Sequence, residues 1–193
     1  MTDEEILKTR IKEIWANLED WGEHPTSEEG IMIVKFPISR TGQAFVGLKI
    51  KKFPNSRRGV YLKSKKEVRA FRDLLNCKKI LDFFQDDILQ TEILPDKEWE
   101  EIPSGIPGIG YTKIPSQRNP DGIPAVVINP VNEYGKKIKR RNLYLQNIEA
   151  YTKYRDLFNN QKIDRIIQII GKINDELSIE FRVARLKITE KFK

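Results

Sequence analysis

The side chains able to do chemistry in this sequence fall into isolated ones and clustered ones. His24 and Cys77 are the sole histidine and the sole cysteine. A Cys-His nucleophile needs both groups and an orienting third, and a zinc site needs several such ligands at motif spacing. No Gly-rich phosphate loop and no His-Glu-x-x-His run accompanies them. Zinc chemistry and Cys-His or Ser-His catalysis are therefore set aside, no metal or cofactor is expected, and the chain is read as a non-enzyme. Asp86 with Asp87, and Glu98 with Glu100 and Glu101, are carboxylate groupings that could hold Mg²⁺ for a nuclease. Both lie at a helix end or in a connector, where solvated carboxylates are ordinary.

The clustered residues are cations interleaved with rings. Phe45, Phe53 and Tyr61 lie among Lys49, Lys51, Lys52, Arg57 and Arg58. Tyr111, Tyr134 and Tyr144 lie among Lys113, Lys136, Lys137, Lys139, Arg140 and Arg141. Lys35 and Arg40 in "KFPISR" recur as Lys113 and Arg118 in "KIPSQR". Lysine and arginine neutralise phosphates and release counterions, and exposed rings stack on unpaired bases, so this mixture is the chemistry of a nucleic-acid-binding surface. Each residue also has an ordinary reading: a solvated hairpin end, a strand tyrosine, an arginine that steadies a turn.

Net charge agrees with a polyanionic partner. Lys+Arg number 35 against 28 Asp+Glu, for +7, and the excess collects in "KIKKFPNSRR" and "KKIKRR" while acid collects in "MTDEE" and "TEILPDKEWEE". The chain of 193 residues, 39% hydrophobic and 33% charged, has the balance of a globular protein with one ordinary core or two small ones. No apolar run is long enough to cross a bilayer, and "MTDEEILKTRIKEIW" lacks the basic and apolar regions of a signal peptide. No membrane contact is expected, and the compartment expected is intracellular, whether cytoplasm, nucleoid or nucleus.

The elements that must position these residues recur. "GIMIVKFPISR" lies over "GIGYTKIPSQR" at an offset of 78, and "RGVYLKSKKEVRAFRDLL" lies over "RNLYLQNIEAYTKYRDLF" at an offset of 83. The difference falls in the hairpin region that carries the basic loop of the second copy. In "AFVGLKIKKF", Ala44, Val46, Leu48 and Ile50 alternate with Phe45, Gly47, Lys49 and Lys51, which predicts a strand with one packed and one wet face. The equivalent wet face of the second copy is Ile123, Ala125, Val127 and Asn129. A helix follows in each copy, with stripe Val68, Phe71, Leu74, Leu75 after the cap Ser64, and stripe Tyr151, Tyr154, Leu157, Phe158 after the cap Asn147. An amphipathic helix with Leu7, Ile11, Ile14, Leu18 and Trp21 on one face precedes them. A heptad-like stripe, Ile163, Ile166, Ile170, Ile173 and Leu177, follows them and suits either core packing or a dimer seam.

Strands, a basic loop and then "RRGVYLKSKKEVRAFRDLL" resemble the single-stranded-DNA-binding domain of the positive cofactor four family: Arg58, Gly59, Val60 and Leu62 match its last strand and Ser64 to Leu75 its helix. The related Whirly and Pur-alpha proteins carry two such units in one chain. The resemblance implies an α+β fold of two tandem ββββα repeats, antiparallel sheets with their helices packed together, plus N-terminal and C-terminal helices. The expected divisions are 1–27 for the first helix, 28–90 and 108–174 for the repeats, 91–107 for an acidic Pro/Gly connector and 175–193 for a helical tail. The function it implies is binding of single-stranded DNA, as a transcription-cofactor-like or replication and repair accessory protein. Asn142 stands where the second copy would need the glycine, and its strand face is not basic. The alternatives are an RNA-binding protein of the same fold, or a structural, protein-interaction protein that forms a homodimer through its Ile-rich C-terminal helix.

Overall fold

Thr2 starts the first helix by chemistry that can be read from its neighbours. Its side chain accepts from Glu5 N at 3.3 Å while the Glu5 carboxylate accepts from Thr2 N at 2.7 Å, and Asp3, Glu4 and Glu5 face the positive end of the helix dipole. The computed structural model describes residues 2–17, 19, 21–36, 44–53, 56–85 and 96–191. Helix α1 spans Asp3–Ala16 and buries Ile11 and Ile14. It stops short of the expected stripe: Asn17 leaves helical geometry, Leu18 lies outside the described residues, and Trp21 follows beyond the helix, half exposed.

Two compact units emerge: Met1–Pro54 with Tyr61–Lys65 and Gln161–Lys193, and Asn55–Val60 with Lys66–Asn160. The first holds an antiparallel sheet of β1 (Glu23–Pro25), β2 (Ile31–Phe36), β3 (Phe45–Ile50) and β4 (Val60–Leu62), in that spatial order. Its first strand, Glu23–Pro25, lies inside the segment 1–27 expected for the first helix. One face buries Ile31, Ile33, Val46, Leu48 and Ile50.

Helix α5 (Gln161–Lys191) belongs to this first unit and runs unbroken past the expected division at 174. Its stripe Ile163, Ile166, Ile170, Ile173 and Leu177 is buried within the chain. Asn174 from α5 accepts from Val46 N at 3.0 Å and donates to Val46 O at 2.8 Å, meeting both backbone groups of a strand residue. Lys12 pairs with Glu176 at 3.2 Å, tying α1 to α5.

The second unit holds β5 (Ile102–Pro103), β6 (Ile109–Ser116), β7 (Asn119–Ile128) and β8 (Leu143–Leu145), again antiparallel and in chain order. Strand β5 comes from the expected connector. Helices α2 (Lys65–Leu75), α3 (Lys79–Gln85) and α4 (Ile148–Asn159) complete the unit, and Asn147 caps α4 by accepting from Ala150 N at 2.8 Å. Helices α2 and α4 touch, as the stripes led one to expect. The Phe71 and Phe158 rings stack at 5.5 Å, the Tyr151 hydroxyl donates to Leu75 O at 2.9 Å, and the Asn76 and Asn159 amides exchange hydrogen bonds at 3.0 and 2.9 Å. Among the described residues the protein is thus α+β, with two four-stranded antiparallel sheets and five helices. Among the described residues no helix is long and apolar enough to cross a membrane.

Candidate nucleic-acid interface

Directly paired residues of antiparallel strands share a face. Phe36 pairs with Phe45 and Val34 with Gly47, which puts Phe36, Phe45, Gly47 and Lys49 on the face opposite the core of the first sheet. Phe36 and Phe45 stack at 4.8 Å with ring planes 13° apart, and Tyr61 of β4 meets Phe36 edge-on at 5.7 Å. The exposed Lys63 reaches back over this cluster, its Nζ 4.6 Å from the Phe45 ring centre and 5.4 Å from that of Phe36. Phe36 and Phe45 are half-buried and Tyr61 is 37% exposed. Gly47 is what lets the rings lie flat on the strand: a Cβ there would stand 2.5 Å from Phe36 Cε2 and 2.6 Å from Leu62 O.

The wet basic face expected on β3 is not wet at its lysines. Lys49 and Lys51 are buried, at 2% and 5% exposure, because Glu23 from β1 reaches across and pairs with both, Lys51 at 2.7 Å. Burial alone would push Lys49 down, but its hydrogen bonds to Glu23 and Tyr61 outweigh this and hold the ammonium above the ordinary lysine range. Burial likewise works to raise the Glu23 carboxyl, and the two lysines hold it below the usual carboxylate range. Lys49 also sits 5.0 Å from the Tyr61 ring centre, bracing it from within the sheet.

Lys35, expected at the binding surface, is buried on the core face of the sheet. It pairs with Val46, and its Nζ donates to Trp15 O at 2.7 Å and Asn17 O at 2.6 Å. It therefore serves the carbonyl end of α1, where a cation is favoured. The residue on the ring face is its neighbour Phe36, since a shift of one position along a strand exchanges faces. Arg40 lies outside the described residues.

The other basic residues divide by exposure. Lys52 stands 4.7 Å from the ring centre of the exposed Phe53, and Arg57 and Arg58 are exposed. In the second unit, to which Arg57 and Arg58 also belong, Arg118 is exposed at the β6–β7 turn and Lys113 is half-buried on β6. The face of β7 expected to be wet is instead packed: Ala125, Val127 and Asn129 are buried. Tyr111 is buried against Phe83 at 5.1 Å, and burial raises its hydroxyl above the ordinary tyrosine range.

The basic loop after β7 is a tied turn. Asn132 Oδ1 accepts from Tyr134 N at 3.0 Å and Lys136 N at 2.9 Å, Gly135 takes φ +72°, and Val131 bridges to Lys137. Buried Asn129 anchors its far side, donating to Lys139 O at 2.8 Å and accepting from Lys139 N at 3.1 Å. Lys137 pairs with Glu101 and Lys139 with Glu67. Tyr134, Lys136, Arg140 and Arg141 are exposed, and Tyr144 is half-buried against Trp99, with ring centres 5.4 Å apart.

Phe36, Lys63 and Trp99 were not among the residues singled out from the sequence. Lys63 could have been found, since it follows Tyr61 by two positions and so shares its strand face. Comparison of the chain with protein-family models, with curated proteins and with solved structures finds no match.

Proposed function

We propose that the protein binds single-stranded nucleic acid, with single-stranded DNA as the expected ligand, and that it acts as a binding module and not as an enzyme. The observation that carries this reading is the ring cluster Phe36, Phe45 and Tyr61 on an outer strand face beneath the exposed Lys63. A base entering that cluster stacks on a ring face and displaces the ammonium toward its own phosphate, so the cation exchanges one partner for another. Arg57 and Arg58 carry exposed positive charge, Lys52 is half-buried beside Phe53, and Phe53 is a further exposed ring. The second unit carries exposed cations of its own, Arg118 and, in the tied loop, Lys136, Arg140 and Arg141.

In the same reading the chain is a tandem duplication of a ββββα unit like that of the positive cofactor four, Whirly and Pur-alpha proteins. Supporting it are the recurring segments, the matching strand order of the two sheets, and the contact between α2 and α4. Burial of the α5 stripe within its own unit favours a binding module over a protein that associates through that stripe.

The test is fluorescence anisotropy with labelled single-stranded DNA, RNA and duplex DNA of equal length at several salt concentrations. A single strand exposes base faces and bends, whereas a stiff duplex hides them. Single strands should bind tighter than duplex, with log affinity falling against log salt by about 0.7 per phosphate contact. Equal affinity for duplex and single strand would overturn the reading, and the DNA and RNA arms rank the two ligands.

A further inference from the structure

A second aromatic pair lies in the other unit, on a segment whose sequence reads only as an acidic connector. Trp99 has φ +63°, the sole non-glycine in that region among the described residues, and its side chain is 52% exposed. A bulky residue there is strained, and a half-exposed indole gains little packing to offset the strain. The turn is nevertheless held on both sides: Trp99 N donates to Lys113 O at 3.0 Å, and Thr112 Oγ1 donates to Glu100 O at 2.6 Å. Tyr144 meets the indole at 68°, a T-shaped contact that leaves at least one indole face not covered by the tyrosine.

The pair is wired to the cationic loop. Asn142 Nδ2 donates to the Tyr144 hydroxyl at 3.3 Å, Lys137 Nζ donates to Asn142 Oδ1 at 3.3 Å, and Lys137 pairs with Glu101 two residues from Trp99. Exposed Lys136, Arg140 and Arg141 belong to the same loop, while exposed Asp96, Glu98 and Glu100 belong to the segment that carries the tryptophan. A phosphodiester leaving the ring pair is repelled by those acids and drawn toward the loop.

We propose that Trp99 and Tyr144 form a second stacking site for an unpaired base of the strand, with the loop residues Lys136, Arg140 and Arg141 taking the phosphates beside it. This rests on the reading that the protein binds single strands, and it adds a base-holding role to the second unit.

The test uses the full chain labelled with 5-fluorotryptophan, whose three tryptophans give three ¹⁹F resonances, Trp99 assigned by Trp99→Phe. An oligothymidylate of about 12 nucleotides is titrated while anisotropy reports binding independently. The Trp99 resonance should shift saturably in step with anisotropy. Trp99→Ala should weaken binding about five- to hundredfold with its salt slope unchanged, and Trp99→Phe should keep most of the affinity. Binding by anisotropy with an unmoved Trp99 resonance and an unaffected Trp99→Ala variant overturns the second site and leaves the first-sheet reading standing. No binding of any strand overturns both.

Discussion

Tyr61 and Lys49 share a strand face as ring and cation 5.0 Å apart, yet they are expected to fail differently when changed. Tyr61 is partly exposed, so Tyr61→Ala should weaken single-strand binding by about 1 to 3 kcal/mol with little change in salt slope, because stacking releases no counterion. Lys49 is buried on Glu23. Lys49→Gln should instead lower stability by about 1 to 3 kcal/mol, less than for a fully buried pair because Glu23 remains 35% exposed. Denaturant titration beside anisotropy separates the two; a Lys49→Gln protein of normal stability and reduced salt slope would restore Lys49 as a phosphate contact. The same pair sets a pH dependence. Glu23, held low when folded, stabilises above its unfolded value and loses that contribution as pH falls through the folded one. Lys49, held high, stabilises below its unfolded value and loses that contribution as pH rises through the folded one. The contribution should be complete between about pH 5 and pH 10, and Glu23→Gln should flatten the acid limb of denaturation midpoint against pH.

Among the elements, α2 and α4 have the most specific contact. Phe71 is fully buried against Phe158, and its removal leaves a cavity beside that ring. Phe71→Ala should therefore cost about 3 to 5 kcal/mol, read as a drop in the urea midpoint at constant m-value. The register is offset from the simplest superposition of the two stripes: Phe71 meets Phe158, and the Tyr151 hydroxyl reaches Leu75 O. A tyrosine in a helix interface needs an acceptor for its hydroxyl, and the last turn of α2 supplies a carbonyl left without a helical donor.

For the whole molecule, the order of segments along the chain does not follow the two units. The first unit takes its first three strands from the start of the chain and its long helix α5 from the end, and the second takes α2 and α3 from between them. Cutting the chain at the connector thus completes neither: residues 1–90 lack α5, whose isoleucines are buried in the first unit, and residues 91–193 lack α2, whose Phe71 is buried in the second. Each fragment alone should show little cooperative unfolding and poor amide dispersion, and mixing the two should recover both. A fragment 1–90 that melts cooperatively by itself would show that the first sheet does not need α5.

Local periodicity determined a good part of this protein. The alternation in "AFVGLKIKKF" separated Val46, Leu48 and Ile50 from Phe45, Gly47 and Lys49, and the stripes through Phe71 and Tyr151 located two helices that touch. Asn147 was legible as a cap because a cap acts within three residues. Tertiary structure alone decided which face was wet, since Glu23, remote in sequence, covers Lys49 and Lys51. It also decided that Lys35 serves the end of α1 while Phe36 joins the rings, because face assignment on β2 depends on pairing register with β3. The isoleucine stripe of α5 announced burial without naming its partner, and the long-range contacts of Asn174 with Val46 supplied it. A side chain's polarity is a property of its own atoms, whereas its exposure is set by whatever the chain folds against it.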